Sequence, residues 1–168
     1  MASDTAANAT QDPGFFDGRL LVEIEAWDGN LHVGLSSDGT RPEYRFQDGL
    51  NYTRGFDIQG RIAAPGAYRS RAIRIWLSPF GPDMQFGPDA MDEVGQLHSY
   101  SPSPQGRGIS GRLMIPEAAL PMTATCLASA WKYLHIWTFD VDAERASVRA
   151  FSFSSTVHRN LDAWIAER

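Results

Sequence analysis

The sequence predicts an all-β fold, mainly antiparallel, built as a β-sandwich or a flattened barrel with one or two short helices. Apolar and polar residues alternate over several segments, which is the period of a half-buried strand. Turn sequences separate these segments, as at Asp28-Gly29 and at Ala64-Pro65-Gly66-Ala67. Helical periodicity is confined to residues 116–130 and 160–168. Many short strands and little helix favour a layered or closed β architecture.

The chain length indicates a single domain. Its 168 residues are enough for one hydrophobic core and few for two. We predict that residues 14–168 form this domain, because no linker or repeat divides them. Residues 1–13 are small and polar, so we predict that they form a disordered tail.

Composition excludes several functional classes. A net charge of −5 argues against a nucleic-acid binder, which needs a basic footprint. No apolar run reaches the ~18 residues of a membrane span, and the N-terminus lacks the pattern of a secretory signal. The single cysteine, Cys126, permits no internal disulfide, and no Cys/His cluster has zinc spacing. With 15 basic residues of which only Lys132 is lysine, the composition suggests a bacterial protein, and we expect a cytoplasmic one without a cofactor.

The first predicted hairpin turns at Asp28-Gly29, a dipeptide suited to a type I′ turn. Pairing about that turn places Glu23 and Glu25 on the polar face, with His32 opposite Glu25. Paired carboxylates at such spacing can serve as the acid and nucleophile of a glycosidase. A solvated outer face is the simpler interpretation of the same residues.

The second predicted hairpin turns at Ala64-Pro65-Gly66-Ala67, where Pro-Gly suits a type II turn. The simplest register sets Ile58 opposite Ile73 on the core side. It also sets Asp57 opposite Arg74 on the outer side, a cross-strand ion pair.

The third predicted hairpin runs from residue 131 to 139, turns near Asp142, and returns from residue 146 to 154. Its register puts Leu134 beside Phe153 and Ile136 beside Phe151 on the core face. The opposite face carries rings with polar tips and a hydroxyl: Trp131, Tyr133, His135, Trp137 and Ser152. Such a face is typical of a ligand-stacking platform. Aromatic residues in strands more often belong to a wall that is covered, here by a second sheet, by the 116–130 helix or by the C-terminal helix.

The sequence therefore predicts a non-catalytic binding or protein-interaction module that uses Trp131, Tyr133, His135, Trp137 and Ser152. The expected partner is a protein or a second copy, with a homodimer built by strand addition, and a small ligand or glycan is a further candidate. The alternative is a small β-fold hydrolase or ligand-binding barrel, with its site at His135/Ser152 or at Glu23/Glu25/His32. No Gly-x-Ser-x-Gly elbow or orienting carboxylate supports catalysis, so no catalytic residue is assigned.

Metal binding is not predicted. Asp83, Asp89, Asp92 and Glu93 lie in one loop, where carboxylates can bind calcium. Their spacing lacks the alternating ligands and closing glutamate of an EF-hand, and Gly-Pro-Asp is ordinary turn chemistry.

Overall fold

The computed structural model describes residues 17–35, 50–80, 93–103, 106–142, 144–157 and 161–166. The strands are β1 (Gly18–Leu35), β2 (Leu50–Ala64), β3 (Ala72–Phe80), β4 (Gly95–Ser103), β5 (Gly106–Pro116), β6 (Tyr133–Val141) and β7 (Arg145–Ser154). The helices are α1 (Leu120–Ser129) and α2 (Leu161–Ala166), with 3₁₀ turns at Gly66–Tyr68 and Glu117–Ala119. The predicted tail, residues 1–13, lies outside the described residues.

The strands form a closed barrel in the order β1-β2-β3-β5-β4-β7-β6, and β6 pairs back onto β1. Every pairing is antiparallel except that of β3 with β5, which is parallel. The all-β, mainly antiparallel prediction is thus confirmed, and of its two architectures the barrel is the one observed. Closure removes sheet edges along the paired lengths of the strands.

The core of the barrel is aliphatic. Fully buried side chains from all seven strands meet inside it, among them Leu20, Ile58, Ile75, Leu113 and Ile136. Each buried Leu or Ile contributes about 1.5–3 kcal/mol of transfer free energy. Between bulges, inward residues alternate with outward ones along the strands, so the core fixes which side chains remain on the outer wall.

The first predicted hairpin is wrong. β1 runs without a turn through Asp28-Gly29, and it pairs with β2 from Leu21 to Leu35, with Trp27 opposite Ile58 and Gly29 opposite Phe56. A β-bulge between Ile24 and Ala26 shifts the alternation by one residue, so a single long strand satisfies the pattern that suggested a turn. Gly60 faces the bulge, where a Cβ would collide with the carbonyl of Glu23.

The second hairpin forms, with its register moved by two residues. Ile58 lies opposite Ile75 instead of Ile73, because a 3₁₀ turn at Gly66–Tyr68 lengthens the predicted connection. An even shift keeps every side chain on its expected face. The predicted pair of Asp57 and Arg74 therefore still meets, with N–O distances of 2.6–3.0 Å.

Both helices appear near the predicted positions. Pro121 lies in the first turn of α1, where its missing N–H breaks no helical hydrogen bond. α2 packs against β1 on the outside of the barrel. In the part of the chain that the structure describes, neither helix has the length and apolar content needed to cross a bilayer.

Candidate functional site

The third hairpin has the predicted register. Leu134 pairs with Phe153, Ile136 with Phe151, and His135 with Ser152. Burial along β6 alternates between buried and half-buried residues from Tyr133 to Phe139. The inward residues belong to the core, so Tyr133, His135 and Trp137 lie on the outer wall.

Helix α2 covers part of this wall. The ring of Trp164 meets the ring of His135 edge to face, with centroids 4.8 Å apart and an interplanar angle of 86°. Leu21, which pairs with His135 in the neighbouring strand, is fully buried. One of the coverings considered from the sequence, the C-terminal helix, is therefore present, and it leaves the wall only half-covered.

Arg19 lies between the helix and the wall. Its guanidinium carbon is 5.1 Å from the ring centroid of Trp137 and 5.1 Å from that of Trp164. Its Nη1 donates a 3.0 Å hydrogen bond to the Trp164 carbonyl. The arginine is positioned by β1, which pairs it with Trp137 at the seam that closes the barrel. A cation held against two indole faces is stabilised by their quadrupoles.

A second arginine flanks the same ring. The guanidinium carbon of Arg149 is 5.7 Å from the centroid of Trp137 and 4.8 Å from that of Phe139. Arg149 lies between the β7 residues that pair with Trp137 and Thr138, where a bulge leaves it without an opposite residue. The outer wall is thus locally positive although the chain carries a net charge of −5.

The wall and the helix line a pocket that opens to solvent and has a volume of about 230 Å³. Its lining includes Arg19, His135, Trp137, Ala150, Ser152 and Trp164. The lining contributes two indole rings, a guanidinium, an imidazole and a hydroxyl, and no carboxylate from the described residues. This set suits a small ligand with a flat apolar part and an oxygen-bearing group.

Hydrogen bonding orients the imidazole of His135. Its Nε2 lies 2.8 Å from Oγ of Ser154, which is diagonally across from His135 and two residues along β7 from the predicted Ser152. Ser154 Oγ donates its single proton to the carbonyl of Thr156 at 2.8 Å. Ser154 must therefore accept from His135, so Nε2 carries the hydrogen. A histidine acting as base toward a serine needs the opposite direction.

The pocket collects three of the five predicted binding residues: His135, Trp137 and Ser152. Tyr133 shares their outer face without lining the pocket. Trp131 lies elsewhere, because it precedes β6 and stacks on Phe153, with centroids 4.8 Å apart and the rings 7° from parallel. Its ring packs against the core, so it does not line the pocket with the other residues of the predicted platform.

The alternative site at Glu23, Glu25 and His32 is not assembled. Because β1 is continuous, Glu25 and His32 lie seven residues apart along an extended strand, a separation of roughly 20 Å. Glu25 instead accepts a 2.8 Å hydrogen bond from Nε of Arg61 on the exposed surface of β2. These three residues would come together only if the chain turned at Asp28-Gly29, and β1 continues through that dipeptide.

No group of three or more His, Cys, Asp or Glu residues within the described ranges is arranged to hold a metal ion. The predicted acidic loop lies outside them, apart from Glu93.

Comparisons with known proteins add nothing to this geometry: no family model, curated protein or solved structure matches the chain.

Two contributors to the pocket were not assigned to it from the sequence: Arg19 and Trp164. The apolar spacing of Leu161, Trp164 and Ile165 was a signal for a docked helix. No local signal pointed to Arg19, because its neighbours come from the far end of the chain.

Proposed function

We propose that this protein is a non-catalytic binding module whose pocket, between the outer wall of β6–β7 and helix α2, binds a ligand with a flat apolar part and an anionic group. The observation that carries the proposal is the position of Arg19, between Trp137 and Trp164 at the pocket wall. A guanidinium presents N–H groups in a plane that matches a carboxylate or phosphate. The indole faces offer apolar contact at small entropic cost.

The direction of the hydrogen bonds supports binding over hydrolysis. The proton of Ser154 is directed to a backbone carbonyl, and the pocket's described lining has no carboxylate to orient His135 as a base. In this role His135 serves as a fixed polar surface beside the rings. A cytoplasmic location stays a prediction, supported by the single, half-buried Cys126.

Benzoate is a direct probe, because it joins a flat ring to a carboxylate. We expect millimolar benzoate to shift the indole N–H signals of Trp137 and Trp164 in ¹H–¹⁵N spectra. Benzyl alcohol, which has the same ring without the charge, should bind at least about tenfold more weakly, since a charge-assisted pair contributes on the order of 1.5–3 kcal/mol.

Arg19→Gln should abolish the preference for benzoate over benzyl alcohol. The matched control is Arg74→Gln, which removes a guanidinium paired with Asp57 on the β2–β3 wall and should leave binding unchanged. Circular dichroism checks that both variants keep the fold. Equal binding of the two probes, or a preference that survives Arg19→Gln, would contradict the proposal.

A further inference from the structure

Strand β1 extends beyond the barrel wall. Its pairing with β6 spans Gly18 to Glu23, and the last backbone bond at this seam joins Ile24 N–H to the Lys132 carbonyl at 2.8 Å. From Ala26 to Leu31, β1 keeps β2 on one side. Within the described ranges no strand pairs with its other side. Among the residues that the structure describes, this stretch is therefore an open sheet edge, which is a template for adding a strand.

The groups that face the open edge follow from the chirality of the strand. Ile24 packs against the core and points its N–H to the β6 side. In a strand of L-residues, the side-chain face and the side of the N–H alternate together. After the bulge, Trp27, Gly29 and Leu31 take the inward face, so their N–H and C=O groups point to the open edge.

Two of the exposed large apolar side chains in the described residues lie on this edge. Trp27 is 36% exposed and Leu31 is 66% exposed, each two residues from Gly29. Asp28 and Asn30 occupy the opposite face, next to the same glycine. The segment is therefore nearly symmetric about Gly29. One polar side chain lies on each side of the glycine, and one large apolar side chain lies beyond each polar one.

We propose that this edge pairs antiparallel with the same edge of a second copy, about a twofold axis at Gly29. In that register Trp27 of one copy meets Leu31 of the other, and the Asp28 carboxylate meets the Asn30 amide. The pairing forms about six backbone hydrogen bonds and joins the two β1–β2 ribbons into one sheet. A twofold axis at Asp28 would oppose two carboxylates, so the arrangement of side chains selects the glycine register.

The size of the edge sets the expected affinity. A pairing of about six residues buries less than the ~1,200 Å² of a standard stable interface. The dimer should therefore form and dissociate with concentration.

Sedimentation velocity of the full chain, from about 10 μM to about 1 mM, tests the proposal. We expect a concentration-dependent dimer that Leu31→Lys weakens at least about tenfold, because the lysine replaces an apolar contact at the edge. The matched control is Met122→Lys on α1, since Met122 is 61% exposed and lies in another element. Circular dichroism confirms that both variants are folded.

Cysteine pairing tests the register, in a chain whose native thiol is removed by Cys126→Ser. Gly29→Cys should form an intermolecular disulfide, because position 29 lies on the axis and a Cβ there meets only the Phe56 ring at 3.8 Å. Leu31→Cys should not, since its two copies would be roughly 13 Å apart, beyond disulfide reach.

Several outcomes would overturn the proposal. The first two are a monomer at every concentration and a dimer that Leu31→Lys leaves intact. The others are a loss of dimer affinity in the Met122→Lys control equal to that in Leu31→Lys, and an intermolecular disulfide that forms as efficiently at position 31 as at position 29. Protection of the Gly29 and Leu31 amides from hydrogen exchange in a monomer would also overturn it, because another part of the same chain would then occupy the edge. The benzoate experiment concerns a different surface, so either proposal can fail alone.

Discussion

Asp142 holds the turn between β6 and β7 with its side chain. Its Oδ1 accepts hydrogen bonds from the backbone N–H groups of Glu144 at 2.8 Å and Arg145 at 2.7 Å. These bonds favour the ionised carboxylate and lower the pKa of Asp142 below its ordinary value of 3.8. The turn that fixes the register of the pocket wall thus depends on a charged side chain.

Because the folded-state pKa of Asp142 lies below the unfolded value, this group stabilises the fold above about pH 3.8, and that stabilisation is lost as the pH falls through the folded pKa. We expect an NMR titration of the Asp142 carboxyl to give a pKa under 3.8. Asp142→Asn should remove this component from the pH dependence of unfolding. A measured pKa at or above 3.8 would contradict the assignment.

The sequence was sufficient to predict the side chains of the outer wall, and it was not sufficient to predict the side chains from other elements that complete the pocket. His135 and Trp137 follow from strand alternation, which is local. Arg19 hydrogen-bonds to Trp164, 145 residues away, and no pattern within either segment encodes that contact. The hydroxyl bonded to His135 belongs to Ser154 instead of the directly opposite Ser152, because side chains also reach diagonal neighbours across a sheet.

Among the elements, the third and first predicted hairpins differ in whether the turn sequence lies at a turn of the chain. The turn at Asp142 connects β6 and β7 directly, so alternation and turn chemistry agree and the register is correct. In β1 the dipeptide Asp28-Gly29 has turn chemistry but lies in an extended strand. The bulge at Ile24–Ala26 reproduced the apolar pattern of a turn, and sequence alternation cannot distinguish the two.

The alternation of β6 predicts how substitutions affect stability. Ile136 is fully buried, so Ile136→Ala should lower the free energy of unfolding by about 2–5 kcal/mol. Tyr133→Ala removes more atoms from the half-buried outer face and should cost less. Denaturant unfolding of both variants measures the difference. A larger loss for Tyr133→Ala would show that the two faces are assigned the wrong way round.

At the scale of the whole molecule, the site is a product of barrel closure. Pairing of β1 with β6 brings Arg19 beside Trp137, and packing of α2 on β1 brings Trp164 over His135. The pairings of β1 with β6, of β4 with β7 and, in parallel, of β3 with β5 join strands that are not consecutive in sequence. Local periodicity indicates which residues face inward, and it does not determine which strands are neighbours. The fold class could therefore be predicted from the sequence, whereas the strand order is known only from the structure.

The C-terminal helix and the closed barrel wall together form the pocket. Nuclear Overhauser effects between the ring protons of Trp164 and His135 measure whether the two elements are in contact in solution. We predict that they are observed, since the ring centroids are 4.8 Å apart. Their absence from a folded sample in which the paired residues Leu20 and Ile136 still show cross-strand effects would contradict the account.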